Sequence, residues 1–137
     1  MENFGRLLKL ANNSLSKEMN DFASQYGLTG VQMSTLDLLA KSGGILEQSL
    51  IEQEFNIKRS TTTVMLQRME AKQLVERLEA KDDKRKKLVK LLPKAQELVG
   101  PAQTYINDSE QKLRANFSQE ELAAAKKVLT YLWKGGM

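Results

Sequence analysis

Apolar residues recur every three or four positions near the start of the chain: Phe4, Leu7, Leu8, Ala11, Leu15, Met19, Phe22 and Tyr26. That period puts them on one face and predicts a long amphipathic helix over residues 3–26, stopped by Gly27. A second helix starts at once. Thr29 and Gln32 have the T-x-x-Q spacing of a capping box, with Leu28 and Met33 placed as its hydrophobic staple. Its inward face is Met33, Leu36, Leu39 and Ala40, and Gly43-Gly44 ends it. The pattern then shortens. A third helix is predicted over Glu47–Phe55 with Leu50, Ile51 and Phe55 inward, and Asn56 is a suitable left-handed stop. A fourth runs from Arg59 to Lys72, with Thr62, Met65, Leu66 and Met69 inward and Ser60, Thr61, Thr63, Val64, Gln67, Arg68 and Ala71 outward. Two helices joined by about three residues are a helix-turn-helix, whose second helix reads the major groove of duplex DNA.

Beyond residue 73 the period changes. Two short strands are predicted at Leu74–Ala80 and Lys87–Leu91, with turn chemistry between them at Lys81-Asp82-Asp83-Lys84. A charged hairpin directly after a helix-turn-helix is a wing. Pro93 pre-sets the first turn of another long helix carrying Leu98, Tyr105, Ile106 and Leu113, and Gly100-Pro101 is expected to kink or split it. Ser118 and Glu121 form a second capping box, stapled by Phe117 and Leu122; Leu122, Ala125, Val128, Leu129 and Leu132 line one face of the helix it opens. The predicted fold is mainly α with a small β-hairpin wing. A winged helix-turn-helix occupies residues 29–92, an N-terminal helix residues 1–28, and C-terminal helices residues 93–137.

Charge sharpens this picture. Between Lys58 and Lys94 there are twelve Lys and Arg against five Asp and Glu, a net of +7. The whole chain carries only +4, so the remainder sums to −3. Basicity concentrated on one segment, beside Ser, Thr and Gln side chains, suits a polyanion whose edges offer hydrogen-bond partners. On the outward face of the fourth helix, Gln67 can bond adenine through two atoms, and Thr63 and Val64 can touch a thymine methyl. Ser60 and Thr61 lie where hydroxyls and free N–H groups suit a phosphate, or cap the helix. Arg59 and Arg68 are phosphate candidates. At the wing tip, Arg85 can enter a narrow minor groove. Asp83, two residues away on the same side of an extended segment, can steer it. Lys84, Lys86 and Lys87 add unspecific charge, at least one of them only solvating the hairpin.

Two absences narrow the function. There is no cysteine and no histidine. That removes thiolate chemistry, the commonest metal ligand and the commonest general base near neutral pH. An enzyme is disfavoured, and no cofactor or metal is expected. No apolar run approaches the length of a membrane span and no secretory signal is visible, so a cytoplasmic protein is expected. The long apolar stripes at both ends exceed what one small winged domain can cover. A two-fold homodimer through the terminal helices hides them and sets two reading helices about one duplex turn apart, matching palindromic double-stranded DNA.

These residues resemble the MarR family of bacterial transcriptional regulators over essentially the full length. The resemblance is carried by Leu28-Thr29-x-x-Gln32, Leu50 through Ile57, Ser60-Thr61-Thr62-Thr63, Met69-Glu70, Leu74-Val75 and the wing element Asp83-Lys84-Arg85-x-Lys87-Leu88-Val89-x-Leu91. Three positions depart from the pattern: Gln73 stands where the family usually has Gly, and Leu92-Pro93-Lys94-Ala95 stands where it usually has Thr-x-x-Gly, so that Leu92 replaces a helix-capping Thr, with Pro93 compensating, and Ala95 replaces the Gly. The resemblance implies a homodimeric winged-helix DNA-binding protein, typically a repressor. The paired Asp83 and Arg85 are part of that pattern. It also leaves room for release by a small ligand held between the DNA-binding domain and the dimer helices; without Cys or His, a small organic effector is the implied class. The competing class is a winged-helix protein–protein adaptor that does not read DNA. It predicts an uncharged wing or an apolar patch on the reading helix, and the sequence shows neither.

Overall fold

The computed structural model describes residues 3–135. These form six α-helices and a three-stranded antiparallel sheet, in the order α1 (Phe4–Ser24), α2 (Gly30–Lys41), β1 (Ile45–Glu47), α3 (Gln48–Phe55), α4 (Arg59–Ala71), β2 (Val75–Glu79), β3 (Lys87–Leu91), α5 (Gln96–Ala115) and α6 (Gln119–Lys134). A single 3-10 turn, Pro93–Ala95, precedes α5. The chain divides into two compact units, one ending at Ala102 and one beginning at Gln103, within α5.

The first unit holds the core. Met33, Leu36 and Leu39 of α2, Ile51 of α3, Leu66 and Met69 of α4, and Val75 and Val89 of the sheet form one buried cluster. Each such side chain contributes about 1.5–3 kcal/mol on leaving water. The Thr29–Gln32 capping box forms as expected: Gln32 N–H donates to Thr29 Oγ1 at 3.2 Å and Thr29 N–H to Gln32 Oε1 at 2.9 Å. Asn20 of α1 adds a third cap, its Oδ1 accepting from Gly30 N–H at 2.7 Å. Here α1 passes so close to α2 that a Cβ on Gly30 would lie 2.6 Å from Met19 Cγ, so the crossing needs glycine. Thr62 is fully buried, as its place in the apolar stripe predicts, and its hydroxyl donates to Lys58 O at 2.9 Å. Asn56 takes the left-handed conformation that stops α3.

Several expectations need correction. The wing is not a lone hairpin, because β1 pairs with β3 through Leu46↔Val89 and puts β3 at the centre of a β1-β3-β2 sheet. Three residues are too few for a legible alternation. Leu50 is exposed rather than inward, because Ile51 fills the core-facing direction at that turn. Met65 is only half-buried, and Tyr26 lies beyond the end of α1 and is exposed. Gly100-Pro101 does not split α5, which continues to Ala115. Proline there removes one i→i−4 bond, to the carbonyl of Glu97, and the neighbouring turns carry the helix through.

In the second unit, α6 opens on its capping box: Glu121 N–H donates to Ser118 Oγ at 3.1 Å and Ser118 N–H to Glu121 Oε1 at 2.9 Å. No residue of α6 is buried, although Val128, Leu129, Leu132 and Trp133 are large and apolar. Among the described residues no helix is long and apolar enough to cross a membrane.

Candidate nucleic-acid interface

Helix α4, the expected reading helix, begins without a capping side chain and without an acidic residue in its first turn. Lys58 occupies the cap position, so Ser60 and Thr61 do not cap; both are exposed inside the first turn. The free N–H groups of that turn therefore keep their partial positive charge, which favours an anion. Val64, Gln67 and Arg68 continue the same exposed surface. Gln67 makes no side-chain hydrogen bond within the described residues, so its amide is available for two bonds outward.

Thr63 behaves differently from the outward reader expected of it. It is half-buried, and its Oγ1 accepts from Gln48 Nε2 at 2.9 Å. Its hydroxyl oxygen is thus tied to a buried amide on a neighbouring helix, which orients the Thr63 side chain. Gln48 was invisible to sequence reasoning, since Thr63 and Arg77, the partners that join it to other elements, lie 15 and 29 residues away and no local period marks it.

At the wing tip the expected pair forms, but in a turn. Lys86 N–H donates to Asp83 O at 3.1 Å, so residues 83–86 fold back on themselves. Asp83 Oδ1 accepts from Arg85 N–H at 2.9 Å and from Arg85 Nε at 3.2 Å. The Asp83 carboxyl is held below the ordinary value of 3.8, first by that backbone N–H and then by the guanidinium. The Arg85 side chain remains 92% exposed. Nη2 also donates to Asp83 Oδ2 at 3.4 Å, so one edge of the guanidinium is held by the carboxylate while the group as a whole faces solvent.

The lysines divide. Lys87 is paired across the strands with Glu79 at 3.4 Å, where the register sets the two opposite each other. Lys86 lies between Glu47 at 3.8 Å and Asp82 at 3.9 Å. Lys84 is exposed and makes no ion pair among the described residues. Arg59 Nη2 donates to Arg85 O at 3.3 Å and joins the start of α4 to the wing. Arg59, Arg85, Lys86 and Lys87 line one small cleft of about 80 Å³ with the first residues of α3. The start of α4 and the basic end of the wing therefore share one edge of the domain. Among the described residues no cluster of three or more potential metal-ligating groups occurs.

A second concavity of about 640 Å³ opens beside α4 within the same unit. Val31, Ile57, Val64 and Met65 supply apolar walls, and Asn20, Thr29, Gln32 and Arg68 a polar rim.

A model of the MarR family matches residues 26–86. The chain is 37% identical to the transcription regulator MarR from Oenococcus oeni, whose crystal structure superposes with a TM-score of 0.83 over 96% of this chain and 99% of that one. The chain belongs to the MarR family of transcription regulators. The multiple antibiotic resistance protein MarR of Salmonella typhimurium is 29% identical over 126 residues, covering 91% of this chain and 87% of that protein. S. aureus MepR, solved as a DNA complex, superposes with a TM-score of 0.86 over the full length of both chains, and at 23% identity shows the shared fold. The MarR fold accounts for the order of elements above, including the strand β1 that joins the wing to the helix-turn-helix.

Proposed function

We propose that this MarR-family regulator binds a palindromic operator in double-stranded DNA as a homodimer and represses transcription from it. In this reading α4 lies in the major groove, with Gln67 and Val64 at base edges. Arg59, Ser60, Thr61 and Arg68 hold phosphates on either side. The wing enters the adjacent minor groove with Arg85, oriented by Asp83, while Lys84, Lys86 and Lys87 add salt-sensitive attraction. The observation that carries the proposal is the Arg59–Arg85 contact. It sets an uncapped helix start and an oriented, exposed guanidinium side by side on one basic surface. The MepR structure with DNA supports the same placement by likeness of fold.

The homodimer is supported by apolar surface that a monomer leaves in water, including Phe4 at 71% exposure and Trp133 at 74%. Patches of this kind mark association surfaces. For the effector, the 640 Å³ concavity suits a small organic molecule with an acidic group, apolar against Val31 and Met65 and paired with Arg68. Because Val64 and Arg68 also belong to the DNA-facing surface, an occupant would oppose DNA binding directly. The deciding experiment is selection of duplex DNA from random sequence by the purified protein. A palindromic consensus is expected. Recovery of no consensus would leave the adaptor reading in its place.

A further inference from the structure

Gln48 is the first residue of α3 and has no part in the DNA contacts assigned above. Its side chain is buried, with only 3% of the residue exposed, yet all of its polar capacity is used. Nε2 donates to Thr63 Oγ1 at 2.9 Å and to Glu52 Oε2 at 3.1 Å. Oε1 accepts from Arg77 Nη2 at 3.1 Å and from Arg77 Nε at 3.2 Å. The amide's orientation is dictated by its neighbours: a guanidinium only donates, and a carboxylate only accepts. One amide therefore joins α3, the reading helix α4 and the wing strand β2. A second tie runs alongside, from Arg77 N–H to Glu70 Oε2 at 3.0 Å.

The position of Thr63 gives this junction its consequence. Thr63 and Gln67 are four residues apart and adjacent on one face of α4. The buried Thr62, Leu66 and Met69 set which face of α4 turns inward, and the Thr63 bond adds a directional tie on the side that carries Gln67. Arg77 belongs to the strand that leads to the wing tip, so the same amide relates the wing to that side of α4. We infer that Gln48 is a positioning residue for operator specificity: it holds the reading helix and the wing in one register, so that Gln67 and Arg85 engage a half-site together. This rests on the DNA-reading function proposed above. A buried amide that only stabilised the fold would affect all DNA alike.

Gln48→Met keeps the length of the side chain and removes all four hydrogen bonds. Thr63→Val removes one. Both full-length variants are titrated against the operator selected by the unaltered protein and against a scrambled duplex, with thermal unfolding followed in parallel. Gln48→Met is expected to weaken operator binding about tenfold while scrambled binding changes less than about twofold. Arg85→Ala should then cost less in the Gln48→Met background than alone, because the two contacts no longer act together. Thr63→Val should shift the operator-to-scrambled ratio in the same direction by less. If Gln48→Met does not fold, Thr63→Val and its cycle with Arg85→Ala decide by the same criteria. An unchanged ratio, an equal loss on both duplexes, or full additivity with Arg85→Ala overturns the inference. Failure of the unaltered protein to select any consensus would instead overturn the DNA-reading function itself.

Discussion

Arg59 and Arg85, 26 residues apart, meet where the reading helix joins the wing: Arg59 Nη2 donates to the Arg85 carbonyl oxygen at 3.3 Å. The contact gathers two guanidinium groups at one edge of the domain, where Lys86 and Lys87 line the same cleft and Glu47 and Asp83 are the nearby carboxylates. Local positive charge is left over. In water that excess is weakly unfavourable, and against a polyanion it becomes the attraction.

Arg85 and Gln67 should therefore fail differently when truncated. Arg85→Ala removes one charge and one groove contact from each wing. Its salt slope should become shallower by roughly one to two units per dimer, with a larger loss on operator than on scrambled DNA. Gln67→Ala removes no charge, so its slope should hardly move. Its loss should be about 1–3 kcal/mol per half-site and confined to one operator position. Titrations at several salt concentrations separate the two. Unchanged affinity for Arg85→Ala would take the wing out of the mechanism, and a uniform loss for Gln67→Ala would reassign that residue to backbone contact.

Asp83 sets a pH expectation with a definite sign. Its folded pKa lies below 3.8, so its contribution is fully present above the ordinary carboxylate range and is lost as pH falls through the lowered value. The Asp83–Arg85 turn should thus persist to lower pH than an unperturbed carboxylate would allow and loosen as pH falls through the lowered value. The backbone N–H of Arg85 is the larger cause, ahead of the guanidinium. In Arg85→Ala, the Asp83 carboxyl should consequently still titrate below its ordinary value when followed by NMR. A full return to the ordinary value would make the guanidinium the main support of the turn.

Gln73 carries the clearest local strain. Its φ is +63°, a left-handed conformation costing a side-chain-bearing residue about 1–2 kcal/mol. It completes the C-terminus of α4, where Gln73 N–H donates to Glu70 O at 2.8 Å and Leu74 N–H to Met69 O at 3.0 Å. Those bonds require the left-handed residue. Because Gln73 is exposed, Gln73→Gly forfeits little packing, and the extra freedom of glycine in the unfolded chain offsets part of the gain. A net stabilisation of about 0.5–1 kcal/mol is expected, read as a higher urea midpoint at unchanged slope. A lower midpoint would mean that the Gln73 side chain holds something its exposure conceals.

This position also shows what sequence can carry. Gln73 stood out because a family pattern has glycine there, and the structure supplies the reason. The capping boxes at Thr29 and Ser118 were equally legible, since each is a local bond between residues three apart. So was the buried Thr62, whose place in the apolar stripe outweighed its polarity. What escaped was non-local. Strand β1 is only three residues long and exists through its pairing with β3. The Gln48 junction closes over partners 15 and 29 residues away. Its consequence, an inward-turned Thr63 hydroxyl, could not be told from helical spacing alone, which sets Thr63 beside Gln67.

The terminal helices give the last expectation. Phe4, Leu7, Leu10 and Leu15 of α1 are exposed, as are Val128, Leu129, Tyr131, Leu132 and Trp133 of α6. At roughly 25 cal/mol per Å² of apolar surface, covering several such side chains outweighs the cost of ordering them only if a second surface of the same kind meets them. A two-fold partner supplies that surface without any other component. Sedimentation at micromolar concentration should therefore give twice the chain mass. Truncation before Ser118 should cause dissociation or aggregation, since it removes α6 and uncovers whatever the partner helices cover. Leu129→Glu with Leu132→Glu is the gentler test, because buried carboxylates are costly while a solvated helix tolerates them. That variant should sediment as a monomer, keep its helical circular dichroism, and lose most of its affinity for a two-half-site operator while retaining weak binding to a single half-site. A monomer that still binds the palindrome as tightly as the unaltered protein would detach dimerisation from DNA reading.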